Sequence, residues 1–227
     1  MSPQANPLFA EQRQAMVQRQ LVARGIRDPR VLGAMARVPR ECFVEPQCVA
    51  DAYKDAALPI AEGQAISQPF MVAAMTEALA PSQSHRILEI GTGSGYQAAV
   101  LALLAGWVVT AERKRFLASR ARQRFDDLGI QNVQVEVVDG TLGFEPGAPY
   151  DGIIVTAEAP KLPVALLDQL ALGGRLVIPL ASPDGAMLTR FTKNGPRTWN
   201  QEGLMRCYFV PLVGREGYLT DQGRGPG

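Results

Sequence analysis

The chain is 227 residues long, carries 23 Lys and Arg against 22 Asp and Glu for a net charge of +1, and is 47% hydrophobic. That length and balance suit one folded core with elaborations rather than two domains or a disordered chain, and the near-zero charge excludes a global field for nucleic acid or an anionic membrane. Three cysteines, Cys42, Cys48 and Cys207, are too few and too irregularly spaced for a disulfide framework or a zinc site, so no metal is expected; with no apolar run of membrane-spanning length and no basic-then-apolar start, the expectation is a cytoplasmic protein.

Residues 8–25 place Phe9, Met16, Val17 and Leu21 at roughly helical spacing among Gln and Arg, and Arg24-Gly25 closes the segment. A second helix begins with Asp28 as N-cap and Pro29 at the first helical position, and runs to Pro39. Neither helix buries much alone, so both are expected to lie against the edge or mouth of the later unit. Residues 39–59 read as irregular connection with one helical turn. Residues 58–70, LPIAEGQAISQPF, form a loop studded with Gly and Pro that feeds a helix over residues 71–79. Ser67 and Gln68 stand where an N-cap belongs, ahead of Pro69.

The chain is organised around RILEIGTGSGYQAAV at residues 86–100. Ile87, Leu88 and Ile90 give a strand, Gly91, Gly93 and Gly95 let the backbone turn with positive φ and let a ligand approach, and a helix over residues 96–104 points its unpaired amides back at the turn. This is a nucleotide or nucleoside seat. A dinucleotide fingerprint needs a later third glycine, where Tyr96 stands, and a phosphate-binding Walker loop needs a lysine that Ser94-Gly95-Tyr96-Gln97 lacks. An acidic residue followed by alternate glycines, Glu89 to Gly95, resembles the cofactor loop of the S-adenosylmethionine-dependent methyltransferases.

Strand and helix alternate from there: a strand over Trp107–Ala111, a helix over residues 113–128, strands over 133–138 and 151–156, a helix over 163–170 and a strand over 175–180. That alternation predicts an α/β fold, a doubly wound and mainly parallel sheet covered on both faces, with an N-terminal helical elaboration. Residues 187–191 and 207–213 are expected to form a hairpin completing one side. The organisation expected is an N-terminal helical segment and loop at 1–80, an α/β domain at 81–219 and a disordered tail at 220–227.

Ligands of such sheets sit beyond the carboxyl ends of the strands. There, Glu112 follows the second strand of the α/β unit, where an acidic side chain accepts both ribose hydroxyls; Asp139-Gly140 follows the third and Thr156 the fourth. The only histidine, His85, precedes the first of these strands at the wrong end for a site, and no basic patch interleaved with aromatics suggests nucleic acid.

Taken together, EIGTGSGYQ at 89–97, VDG at 138–140, YDGIIVTAEAP at 150–160, LGGRLVIP at 172–179, FVPLVGREG at 209–217 and the loop LPIAEGQAISQP at 58–69 resemble the protein-L-isoaspartate (D-aspartate) O-methyltransferase family from about residue 12 to residue 218. The resemblance implies a Rossmann-like methyltransferase that uses S-adenosyl-L-methionine to esterify the free carboxyl of L-isoaspartyl, and also D-aspartyl, residues in damaged proteins and peptides; a monomer is expected, although the sequence does not settle the oligomeric state. It implies Ser67 as the active-site serine, Glu89, Gly91, Thr92, Gly93, Ser94 and Gly95 at the methionine part, Glu112 at the ribose, and Asp139 and Gly140 at the adenine. Ile66, Gln68, Thr156 and Val213 are the expected substrate contacts. Val138, where the family commonly has glycine, and Glu158, an added charge, depart from the pattern. The competing readings are a carboxyl or hydroxyl methyltransferase for a small molecule, a cofactor-binding module without turnover, and, more distantly, an NAD-dependent oxidoreductase.

Overall fold

The computed structural model describes residues 7–222. Helix α1 (Pro7–Met16) does not continue as one α-helix: it passes through a π-helical turn, Val17–Leu21, and a 3-10 turn, Val22–Arg24, before Gly25 ends it at φ 98°. Helix α2 (Pro29–Arg37) starts as its sequence predicts, with the Asp28 carboxylate accepting the Arg30 N–H at 2.8 Å and Pro29 filling the first helical position. Two 3-10 turns, Arg40–Cys42 and Pro46–Asp51, interrupt the expected irregular stretch.

Within the stretch predicted to be loop, β1 (Leu58–Pro59) and β2 (Ala65–Ile66) pair antiparallel as a miniature hairpin. Glu62 and Gly63 turn it, both at positive φ. Two residues per strand are too few to show a period, so this element is silent in the sequence. Helix α3 (Pro69–Leu79) follows directly, with Pro69 at its start. The α/β unit then runs β3 (Arg86–Ile90), α4 (Tyr96–Ala102), β4 (Trp107–Ala111), α5 (Arg115–Asp127), β5 (Val133–Glu136), β6 (Tyr150–Val155), α6 (Val164–Asp168), β7 (Leu170–Ser182), β8 (Gly185–Gly195) and β9 (Thr198–Cys207).

The large sheet has the order β5-β4-β3-β6-β7-β8-β9. Neighbours from β5 to β7 are parallel, while β8 and β9 are antiparallel additions. The chain winds outward from β3 through β4 to β5, then returns to the other side of β3 with β6. The crevice at that reversal, above the carboxyl ends of β3 and β6, is the place where such sheets bind ligands.

The hairpin differs from its prediction. Its second strand is β9, exposed over most of its length and built from TWNQEGLMRC, so no apolar alternation marks it. Of the expected second strand, 207–213, only Cys207 belongs to β9; residues 208–213 instead cross the strand ends, where Glu158 and Pro211 make a bridge. Of the expected disordered tail, residues 223–227 lie outside the described residues, whereas Asp221 is held by ion pairs to Arg113 and Lys114.

Alternate side chains of the buried strands feed two cores. Ile87, Val108, Ile154 and Val177 meet α3, α4 and α5 on one face, and that core continues without a break into Met16, Leu21, Val31 and Met35. The N-terminal helices therefore form a further layer, α2 packing on α3 and α4. Leu88, Ile90, Val109, Ile153, Leu176 and Ile178 form the other core, with Leu166 and Leu167 of α6. Phe43 and Tyr96 lock the layers edge to face, their centroids 5.6 Å apart, a geometry worth roughly 0.5–1.5 kcal/mol beyond burial. The buried guanidinium of Arg40 lies 4.9 Å from the Tyr96 ring centre and its Nε donates to Ala52 O.

Candidate active site

The turn after β3 is shaped by what its glycines touch. Gly91 takes φ 95°, and a Cβ there would stand 2.5 Å from Thr156 Oγ1; at Gly95, φ 89°, it would press on Phe125 at 3.0 Å. Both positions are closed by packing as well as by backbone conformation. Gly93 differs, since a Cβ there would meet only Ile60 Cδ1, at 3.8 Å. Its side of the loop opens into a cleft lined by Ile66, Ser67, Gly91, Thr92, Gly93, Ser94, Glu112, Gly140, Thr156 and Val213, ten of the fourteen residues singled out from the sequence.

Glu112 follows β4 and is buried to 7% exposure. Its Oε2 accepts the Gly93 N–H at 3.0 Å and its Oε1 the Lys114 N–H at 2.9 Å. Each carboxylate oxygen has acceptor capacity to spare, so the group is fixed in place and still able to take hydroxyls from the cleft. Thr156, just beyond β6, donates its hydroxyl to Gly91 O at 2.6 Å, and its N–H bonds Ile90 O at 2.9 Å. It stitches the two strands at the reversal point, and its only hydroxyl proton is spent there.

Ser67 lies between β2 and α3. It is not a helix cap: the N-cap residue is Gln68, which makes no side-chain capping bond, and among the described residues the Ser67 hydroxyl has no hydrogen-bond partner. Beyond Ser67 the cleft adjoins a second groove lined by Arg24, Asp55, Gln68, Phe70, Met71 and residues 205–210, and the two share Ala65, Ser67, Thr156 and Val210.

Four sequence candidates do not line the cleft. Gly95 packs inside against Phe125 and Ala121. Gln68 faces the groove, its amide committed to Asp55. Asp139 turns its carboxylate to Thr141, whose N–H and hydroxyl it accepts, and to the Arg215 N–H at 2.8 Å, so it secures the C-terminal segment. Glu89 is fully buried beneath the loop. Its Oε2 accepts the Thr110 hydroxyl, which meets Thr92 Oγ1 at 2.6 Å, and its Oε1 has no partner among the described residues. Desolvation, opposed by the Thr110 bond and reinforced by the Glu112 charge, pushes its pKa up to about 8.

The sequence reading missed Arg113 and Lys114, which directly follow Glu112, and Asp221, all of which line the cleft. Adjacency to Glu112 was a signal for the first two; nothing in the tail marks Asp221. Among the described residues no group of three or more His, Cys, Asp or Glu is placed to hold a metal ion.

Residues 11–217 match the family model described as protein-L-isoaspartate(D-aspartate) O-methyltransferase. A protein-L-isoaspartate O-methyltransferase of Geobacter metallireducens is 51% identical over 210 residues, which are 92% of this chain and 97% of that one. A second, from Pelobacter propionicus, is 54% identical over 207 residues, covering 91% and 92%. Among solved structures, a Plasmodium falciparum protein assigned to the same enzyme and crystallised with S-adenosyl-L-homocysteine has a TM-score of 0.77 at 25% identity, over 88% of this chain and 98% of that one.

Proposed function

The chain belongs to the protein-L-isoaspartate(D-aspartate) O-methyltransferase family, and from that premise we propose how its own residues carry the repair reaction. The enzyme transfers a methyl group from S-adenosyl-L-methionine to the free carboxyl of L-isoaspartyl residues in damaged proteins; in this reading D-aspartyl residues are accepted too. One juxtaposition carries the proposal: Ser67 and Thr156 stand where the glycine-loop cleft meets the open groove. The cleft holds the cofactor and the groove takes the peptide.

The residues of the cleft suit that cofactor. Glu112, fixed by two backbone N–H groups with acceptor capacity left, would take the ribose hydroxyls. The open side of the loop at Gly93 lets a ligand reach the main chain. Gly140 approaches Ile90 too closely for a side chain, since a Cβ would stand 2.6 Å from it, which leaves a flat wall for an adenine. When bound, S-adenosyl-L-methionine supplies an electrophilic methyl on a sulfonium.

The chain's remaining task is to present a carboxylate. That group is ionised at neutral pH and already nucleophilic, so its oxygen would take the methyl as the methyl–sulfur bond breaks and the electron pair stays on sulfur, with no proton to remove and no general base. What accelerates the step is orientation at about 3–3.5 Å and exclusion of water. Ser67, whose hydroxyl is unspent, donates one hydrogen bond to the carboxylate and orients it. A neutral donor does this without quenching the nucleophile as a cation would. Thr156, with its proton given to Gly91 O, shapes the wall. Ile66 and Val213 supply apolar cover on the cleft side.

In the same reading the enzyme works as a monomer in the cytoplasm, without nucleic acid or membrane; the near-neutral charge of +1, which gives no global field for a polyanion or an anionic surface, supports the last two of these. The test is Ser67→Ala with an isoaspartyl peptide: kcat is expected to fall by about 10–100-fold with cofactor KM unchanged. Unchanged turnover in a folded variant would remove Ser67 from the mechanism.

A further inference from the structure

Three segments meet at the groove wall that carries Ser67. Arg24 ends the N-terminal helical run, and its guanidinium carbon lies over the Phe70 ring at the start of α3, 3.6 Å from the ring centre. Its Nη1 donates to Asp55 Oδ2 at 3.0 Å. Gln68, the residue after Ser67, closes the chain of contacts, donating from Nε2 to Asp55 Oδ1 at 2.8 Å and to the Asp55 carbonyl at 3.1 Å. Arg24, Asp55 and Gln68 line the groove with Ser67 itself.

The base of this arrangement is rigid. Two residues before Asp55, Tyr53 is buried, its ring hydroxyl held between Arg13 and Glu41 and its carbonyl taken by Gln20 at 2.8 Å. Asp55 thus hangs from a fixed point, whereas the Ser67 hydroxyl has no hydrogen-bond partner among the described residues to set its direction. The position of its hydroxyl depends on the backbone, and the residue next to it is tied to Asp55.

We propose that Arg24, Asp55 and Gln68 form a clamp of positioning residues that sets the Ser67 wall of the groove for methyl transfer to a peptide. The inference rests on the reading of Ser67 given above. The clamp makes no claim on stability: the Arg24 and Asp55 side chains are 42% and 37% exposed, and partly exposed ion pairs contribute little to folding. Its effect is geometric, and misplacement of a reacting or orienting group by about 1 Å is costly to the chemical step.

The experiment uses the full chain with Arg24→Met and Gln68→Ala, each made alone and in the Ser67→Ala background. Steady-state turnover of an isoaspartyl peptide, cofactor KM and thermal midpoint are measured for all of them. The clamp predicts that each substitution lowers kcat by about tenfold when Ser67 is present and by less than about twofold when it is absent, since groups acting as one unit are not additive. Cofactor KM and the thermal midpoint stay close to the parent's. Arg24→Lys keeps the charge but loses the flat fork, and behaves like Arg24→Met. Equal losses in both backgrounds, with Ser67→Ala itself impaired, would overturn the clamp and leave the serine standing. A drop confined to the thermal midpoint or to cofactor KM would reduce the three residues to a structural contact and overturn it as well. An unimpaired Ser67→Ala would overturn both readings together.

Discussion

Among the described residues Glu89 is the one carboxyl that the fold buries completely, with one oxygen on Thr110 and the other without a partner. Its pKa, lifted chiefly by desolvation from 4.5 to about 8, makes it an uncharged group at neutral pH. A raised folded-state pKa means that the native chain binds this proton more tightly than the unfolded chain. The stabilisation is therefore complete below the ordinary value of 4.5 and is lost as pH rises through about 8. Each unit of pH in that window is worth about 1.4 kcal/mol. From about pH 6 to about pH 9 the loss tied to this one group comes to roughly 2–3 kcal/mol. Glu89→Gln keeps an acceptor for Thr110 and cannot ionise, so it serves as the neutral reference. Urea unfolding of both proteins across that range should find the variant's lead over the parent growing by that amount from the acid end to the alkaline end, because the unfolded parent is already ionised throughout it. In thermal melts the same gap corresponds to about 5–10 °C for a chain of this size. A difference between the two proteins that does not change with pH would refute the claim that Glu89 is buried as a neutral acid.

The glycine loop and the ribose position allow two more tests. Gly91→Ala places a methyl 2.5 Å from Thr156 Oγ1 at φ 95°, and the combined backbone strain and clash should cost about 2–4 kcal/mol in chemical denaturation; a cost below about 0.5 kcal/mol would show that the loop is not closed there. Glu112→Gln turns an NH2 group toward either the Gly93 or the Lys114 N–H, both of which need an acceptor. Cofactor KM should rise by at least about tenfold with little change in peptide KM, and an unaltered cofactor KM would take Glu112 out of the ribose role.

The parts of the fold legible in the sequence are those where local chemistry and tertiary structure agree. Asp28-Pro29 starts α2, Trp107–Ala111 is β4 to the residue, and the glycines after Ile90 mark the reversal point of the sheet. Placement of Glu112 at a strand end follows from counting onward from Gly91. Illegible elements have other causes. Strand β9 is a polar edge whose pairing comes from β8 rather than from a buried face of its own. The β1–β2 hairpin is too short to show periodicity. Asp139 has a main-chain partner, Arg215, that lies 76 residues away and that no local pattern announces. Asp221 sits in a segment whose composition suggests disorder, yet Arg113 and Lys114 hold it at the cleft. The Ser67-Gln68-Pro69 sequence reads locally as a helix cap, but Asp55 takes the Gln68 amide and leaves the serine hydroxyl unspent.

The central claim is that the cleft and groove meeting at Ser67 esterify an isoaspartyl carboxyl. Its most direct test is transfer of labelled methyl from S-adenosyl-L-methionine to two peptides that differ only in an L-isoaspartyl or a normal L-aspartyl linkage. The account predicts base-labile label on the isoaspartyl peptide alone. Equal labelling of both peptides, or of neither while the cofactor binds, would contradict it.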